Sequence, residues 1–355
     1  MKLKKSNILR IIVFSFMVLL IFTCQSYAEF DRYSGHKVSN VNLGLAFPPI
    51  RTIEQIEFTE PHLETLNVSY IRFSEHWEFR EPTQGAFSWA PLDYRLDFAE
   101  SKGLKVLLTI ESMGPDWAIK AADPAPNSQS AVFKNDADFT NYLSQLFHRY
   151  KNRINKVHFG NEWQAKYWYV GTSTDYVNFN NIMYDVVKAS SPQTQVVLGA
   201  FSCGSLRMLA AKEGLIDSFY DIDGNYYDQD DIQAYLATQD GIDYFERVEY
   251  VLANAKFDIL DIHLYDDPER WHLYYNYMKG RFPDKEIIVS EFGGPNHNVE
   301  VYSDDYYAQR VHDYIKKLDE LGINEAYYFK LVESSTTAHI KSGLMNLDLS
   351  TKKSV

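Results

Sequence analysis

Apolar positions along the chain follow two alternating periods. Short runs rich in Val, Ile, Leu and Phe occur at Val41–Phe47, Val68–Phe73, Lys105–Ile110, Lys156–Phe159, Gln195–Leu198, Ile259–Ile262, Glu286–Ser290 and Glu325–Phe329. Runs of this length and composition suit parallel strands buried on both faces. Between them, apolar residues recur at helical spacing. Pro91–Ser101 is one such stretch, stopped by Gly103 just before Leu104. Asp136–Lys151 sets Phe139, Tyr142, Leu143, Leu146 and Phe147 on one side. Tyr176–Ser190 is closed by Pro192. Ser303–Leu321 carries a stripe of Tyr306, Val311, Tyr314, Ile315 and Leu318 that ends at Gly322. Eight strands alternating with helices predict a single α/β (β/α)8 TIM barrel over residues 29–355. The alternative is an open doubly wound sheet. No glycine-rich phosphate turn follows the first strand, which disfavours its nucleotide-binding form.

Two stretches depart from the alternation. Phe201 to Asp258 is long for one crossover and contains "DIDGNYYDQDD", Asp221 to Asp231. A calcium loop places glycine sixth, whereas Gly224 stands fourth, so a solvated acidic insertion is expected there. After the last strand little chain remains. The barrel is expected to lack a full eighth helix, unless the chain has been truncated.

The first 28 residues read as an export signal. Lys2, Lys4, Lys5 and Arg10 precede an apolar run from Ile11 to Cys24, and Ser26-Tyr27-Ala28 offers small residues at a cleavage site. The run is short for a membrane-spanning helix. A secreted or periplasmic location is therefore expected, with no stable membrane insertion after cleavage; an uncleaved anchor or a lipoprotein on Cys24 is the alternative. Cleavage would take the net charge from −13 to −17. So acidic a chain is a poor ligand for nucleic acid, while a neutral substrate fits without electrostatic cost. Cys203 would then stand alone, and no internal disulfide is possible.

In a (β/α)8 barrel, chemistry gathers where strands end. Arg72 lies near the end of the second strand and Glu111 just beyond the third. Asn161, Glu162 and Trp163 follow the fourth, in "KVHFGNEWQ". His263 and Tyr265 follow the sixth, Glu291 the seventh, and Lys330 and Glu333 the eighth. Carboxylates after strands four and seven face each other across the barrel mouth. Glycoside hydrolysis needs such a pair: one acid protonates the leaving oxygen, and the other attacks the anomeric carbon or activates water. Repulsion between like charges raises one pKa enough for a proton donor to persist near neutrality. A metal-dependent barrel hydrolase would want a His-x-His pair early in the chain, which is absent from the sequence. No cofactor or metal is expected.

From Val41 to Leu347 the chain resembles clan A of the glycoside hydrolases, a superfamily of retaining (β/α)8-barrel glycosidases. The resemblance rests on "GNEW" after strand four, "VSEFGG" at strand seven, "DIHLY" at strand six, and "YIRFSEHWEFREPTQGAFSWAPLDYRLDFAESKGLKVLLTI" from strand two to strand three. It implies Glu162 as acid/base, Glu291 as nucleophile and Asn161 as a partner of the substrate 2-hydroxyl. It implies Arg72 beside Glu291, Tyr265 touching Glu291, and His263 lining the same subsite. Trp163, next to the acid, is the tryptophan expected to stack on sugar. The chain departs from the group in two places. The tryptophan usual at strand eight is missing from "AYYFKL", so Tyr328 or Phe329 must form the sugar floor, or it comes from elsewhere. Glu111 stands where many relatives carry His or Asn. The implied function is a secreted retaining hydrolase of β-linked poly- or oligosaccharide. The alternative is a carbohydrate-binding barrel that has lost catalysis, and transglycosylation would use the same residues.

Overall fold

Five barrel strands open on a long polar residue, Lys105, Lys156, Gln195, Glu286 or Glu325, and then continue as apolar runs. The computed structural model describes residues 39–120, 130–265, 267–300, 302–334 and 341–352. In order, the elements are β1 (Asn42–Ala46), α1 (Ile53–Leu66), β2 (Tyr70–Glu75), α2 (Trp77–Arg80), α3 (Ala90–Ser101), β3 (Lys105–Ile110), α4 (Asp136–Arg149), β4 (Lys156–Phe159) and α5 (Ser173–Ser190). Then come β5 (Gln195–Phe201), α6 (Cys203–Lys212), β6 (Phe219–Tyr220), β7 (Tyr226–Tyr227), α7 (Gln229–Leu236), α8 (Gln239–Asn254), β8 (Ile259–Tyr265), α9 (Trp271–Arg281), β9 (Glu286–Gly293), α10 (Asp304–Glu320) and β10 (Glu325–Tyr328). Eight strands close into a parallel barrel in the order β1-β10-β9-β8-β5-β4-β3-β2, the (β/α)8 arrangement. Val41 onward forms one compact unit. The expected export signal, residues 1–28, lies outside the described residues. Among the described residues no helix is long and apolar enough to cross a membrane.

Apolar side chains divide between two layers. Ala46, Tyr70, Leu107, Val197, Ile259, Ile288 and Tyr327 form one buried cluster drawn from the barrel strands. A larger one, including Leu146, Phe159, Val187, Val248 and Leu318, packs strands against helices. Gly44 has no room for a side chain, because a Cβ there would lie 2.7 Å from the Tyr327 ring and 2.8 Å from Tyr70. The helices are capped by their own sequence. Thr172 and Asp175 form a capping box at the start of α5, and Asn135 and Ser303 accept backbone N–H groups at the starts of α4 and α10.

The eight expected apolar runs are the eight barrel strands, but four extend further than the expected runs do. β2 continues to Glu75, β5 to Phe201, β8 to Tyr265 and β9 to Gly293. In β2, β8 and β9 polar residues interrupt the apolar pattern, and in β5 and β8 the backbone ladder continues through register shifts at Leu198/Phe201 and Asp261/His263. His263, Tyr265 and Glu291 are thus strand residues rather than loop residues. The segment after β5 is also more ordered than a solvated acidic loop. It holds helices α6, α7 and α8 and an antiparallel hairpin pairing Phe219 with Tyr227 and Tyr220 with Tyr226. The acidic side chains build its turns: Asp221 accepts the N–H groups of Asp223 and Asn225, and Asp228 and Asp231 make a capping box for α7. After β10 the described residues form isolated bridges, Val332 with Met345 and Met345 with Thr351, in place of a helix.

Candidate active site

The turn after β4 explains "GNEW". Gly160 has φ +66°, a conformation glycine adopts without steric cost. Glu162 has φ +40°, a left-handed backbone uncommon for a side-chain-bearing residue. The two reversals turn the chain sharply at the strand end. The next residues anchor that turn to β5. The Trp163 indole N–H donates to the Gly199 carbonyl at 2.9 Å, and the Gln164 amide donates to the Ala200 carbonyl at 3.1 Å.

Arg72, fully buried, organises the mouth from β2. Its Nη1 donates to Glu291 Oε1 at 2.8 Å and to the Ser290 carbonyl at 3.2 Å. Its Nη2 donates to Asn161 Oδ1 at 2.7 Å, and its Nε to Thr109 Oγ1 at 3.2 Å. The guanidinium lies 4.5 Å from the Phe47 ring centre, a cation–π contact beneath the cluster. Because Arg72 has only donors, it meets the oxygen of the Asn161 amide. The N–H2 group of Asn161 is thereby left to address another acceptor.

Glu291 is held on both oxygens, Oε1 by Arg72 and Oε2 by the Tyr265 hydroxyl at 2.6 Å. Glu162 Oε1 lies 2.8 Å from His263 Nδ1, while His263 Nε2 lies 3.1 Å from Ser290 Oγ and 3.4 Å from Arg72 Nη1. Arg72 can only donate, so a neutral ring carries its proton on Nδ1 and donates it toward Glu162. Single ligand atoms of Glu162, His263 and Glu291 all lie within 4.8 Å of one another. The two carboxylates therefore face each other at that range, with Glu162 the more open: its side chain is 19% exposed and that of Glu291 8%. The same three side chains have the geometry to seat a divalent cation.

Below this layer the barrel holds further buried ionisable groups. Burial raises Asp261 to about 7, and the charge of Arg72 and a hydrogen bond from Ser290 only partly offset it. Burial, the Arg72 charge and the His263 ring push His158 well below its ordinary range, so it is neutral; it lies 2.6 Å from Thr109 Oγ1. Burial raises Tyr265 well above the usual phenol range, helped by Glu291, so it remains a donor to that carboxylate. Glu111 is also raised, chiefly by burial and slightly by Glu291, and it accepts a hydrogen bond from Ser74.

Arg72, Asn161, Glu162, His263, Tyr265 and Glu291 converge as the sequence implied. Trp163 does not join them. It is fully buried, stacks on Tyr176 at 5.0 Å and meets Phe201 edge-on at 5.4 Å. Its role is to fix the turn that carries Glu162, and the sugar-stacking expectation is corrected accordingly. At strand eight, Tyr328 turns toward α10 and bonds the Tyr307 hydroxyl, whereas Phe329 packs against Phe47 and Tyr265 at the mouth. Of the two aromatic candidates at this strand end, Phe329 is the one that packs against residues of the mouth. Phe47 was not foreseen, because it looked like the end of an apolar run. Its left-handed backbone, φ +51°, turns it under Arg72.

No protein-family profile matches the chain. Solved structures do share its fold. A family 39 glycoside hydrolase from the gut symbiont Bacteroides cellulosilyticus WH2 aligns with a TM-score of 0.60 and 15% identity, covering 89% of this chain and 62% of that one. The exo-β-1,4-mannosidase Op5Man5 from Opitutaceae bacterium strain TAV5 aligns at 0.56 and 15%, covering 88% and 57%. A β-glucosidase from Exiguobacterium marinum aligns at 0.56 and 14%, covering 90% and 96%. This chain spans less than two thirds of the length of the first two. At these identities the likeness is one of fold.

Proposed function

We propose that the chain is a glycoside hydrolase that cleaves β-glycosidic bonds of a poly- or oligosaccharide or glycoside with retention of configuration. The observation that carries this reading is the pair of carboxylates at the barrel mouth, one oxygen of each lying within 4.8 Å of the other. Retaining enzymes hold their carboxyl groups about 5–5.5 Å apart, and inverting enzymes about 6.5–9.5 Å, which leaves room for a water. The unequal surroundings support a division of roles. Glu291, gripped by Arg72 and Tyr265, is the nucleophile. Glu162, more open and beside His263, exchanges protons.

In the first step a Glu291 oxygen bonds to the anomeric carbon, the glycosidic C–O bond breaks, and the Glu162 proton passes to the departing oxygen. In the second step Glu162 takes a proton from water, whose oxygen displaces Glu291 from the same carbon. The Asn161 amide donates to the 2-hydroxyl, and Phe329 lies under the reacting ring. Export is part of the proposal and rests on residues 1–28. The fold neighbours support a carbohydrate substrate, several being described as glycosidases.

The test is hydrolysis of a panel of aryl β-glycosides and polysaccharides. Glu291→Gln is expected to abolish turnover, and azide to restore activity to Glu162→Ala on activated substrates. Full activity of either variant on the natural substrate would end the assignment. Glycan binding by the wild type without any hydrolysis would favour the non-catalytic barrel instead.

A further inference from the structure

In the proposed reaction the leaving group departs against the acid, so it must lie beside Glu162. Glu162 lines a cavity of about 260 Å3 together with Ser202, Gly204, Phe219 and Asp221. Those four residues also line a second cavity of about 350 Å3, whose remaining walls include Met208, Tyr227, Ile232, Tyr235 and Tyr244. The insertion after β5 builds most of this space. Phe219 and Tyr227 stack across the hairpin at 5.4 Å, α6 supplies Met208, α7 supplies Ile232 and Tyr235, and α8 supplies Tyr244. Burial above all, with a contribution from the Glu162 charge, raises the Tyr244 phenol, so the far wall lies within electrostatic reach of the acid.

Several polar groups on the walls of the second cavity are already engaged, although the Tyr244 hydroxyl is buried without a hydrogen-bond partner among the described residues. Asp221 accepts from the Asp223 and Asn225 backbones, the Asn225 amide and the Tyr227 hydroxyl. Asp231 accepts from the Asp228 N–H. Ser202 Oγ accepts from the Ser205 N–H and pairs with the Ser205 hydroxyl, which also bonds Gln164. The first cavity, beside Glu162, also carries Arg207 and Asn296, whereas the second offers a guest mainly rings, a thioether and an aliphatic side chain. A sugar there would bury hydroxyls with few partners. A flat aromatic group would lose nothing comparable and would gain ring contacts.

We propose that the insertion between β5 and β8 carries the leaving-group subsite and that this subsite takes an aromatic aglycone, so that the substrate is an aryl β-glycoside. The inference rests on Glu162 being the acid of the proposed reaction. The test compares a 2-naphthyl β-glycoside with the glycosyl fluoride of the same sugar, which has no aglycone. Tyr235→Ala is expected to lower kcat/KM for the naphthyl substrate about tenfold and leave the fluoride unchanged, while Tyr235→Phe retains both. Equal loss on both substrates, or no loss on either, overturns the proposal. So does a wild-type preference for oligosaccharide over aryl leaving groups. A second arm needs no turnover: free 2-naphthol is titrated into the wild type and Tyr235→Ala. Binding that Tyr235→Ala loses supports the cavity assignment even if no glycoside is cleaved, in which case the hydrolase reading alone has failed. Turnover without naphthol binding overturns the cavity assignment and leaves the hydrolase reading standing.

Discussion

At its first residue β4 sets Lys156 against Glu325 of β10, Nζ to Oε2 at 2.7 Å; four and five residues past that strand's apolar run begins, it delivers Asn161 and Glu162 to the opposite end of the barrel. Both ends bury charge. At the first, the account is balanced: Glu325 Oε1 accepts from the Tyr327 hydroxyl at 2.8 Å, and Lys156 lies 5.7 Å from the Tyr70 ring centre. At the second, a buried arginine pairs with one of two carboxylates, Glu291, while the other, Glu162, meets His263 and stays partly open to solvent. A paired charge that faces only its partner holds a barrel shut. A like-charged pair that faces an open mouth can move a proton and form a bond. This is the division between the two faces of (β/α)8 barrels, stability below and chemistry above.

Substitutions at the two ends should separate these roles. The largest effect is expected from Glu291→Gln, which keeps the shape but removes the proposed nucleophile: kcat should fall roughly ten-thousandfold or more. At the other end Lys156→Met should do the reverse. Glu325 would be left buried without its cation, costing about 3–5 kcal/mol in chemical denaturation, with kcat and KM unchanged. The double variant Lys156→Met/Glu325→Leu should recover most of that loss; failure to recover would mean the pair does more than neutralise itself. Arg72→Lys keeps the charge and loses the fork that joins Glu291 to Asn161, so kcat/KM should fall roughly a hundredfold without loss of folding.

The smallest effect concerns Asp261, between the two ends. Its folded pKa is raised to about 7 by burial, against about 3.9 in an unfolded chain. The folded state therefore holds the proton over a window in which the unfolded state releases it. Stability from this group is full at low pH and falls as pH rises through the window. Between pH 5 and 7 the wild type should lose roughly 2 kcal/mol that Asp261→Asn does not lose. Parallel denaturation curves for the two proteins across that range would contradict the account.

The sequence and the structure agree where a residue's role depends on strand order. Alternating apolar runs were enough to place eight strands, and their ends were enough to place Arg72, Glu162 and Glu291. Agreement fails where the role depends on which way a side chain turns. Trp163 follows Glu162 directly, yet the reversal at Gly160 and Glu162 sends it into the core toward Gly199. Tyr328 and Phe329 are neighbours in the sequence, and what separates them is tertiary: Tyr328, the last residue of β10, bonds Tyr307, while Phe329 just beyond it packs on Phe47 and Tyr265. The insertion was unreadable for another reason. Its aspartates resemble solvated charge in composition, but Asp221, Asp228 and Asp231 spend their oxygens on local turns and caps that fold the hairpin and α7. Its tyrosines then become walls.

Trapping of the covalent intermediate tests the account most directly. The protein would be incubated with activated 2-deoxy-2-fluoro β-glycosides and digested, and the modified peptide mapped by mass spectrometry. The account predicts one glycosyl group on Glu291, released on transfer to an added acceptor. An adduct on any other residue, or hydrolysis that proceeds with inversion and leaves Glu291 unmodified, would contradict it.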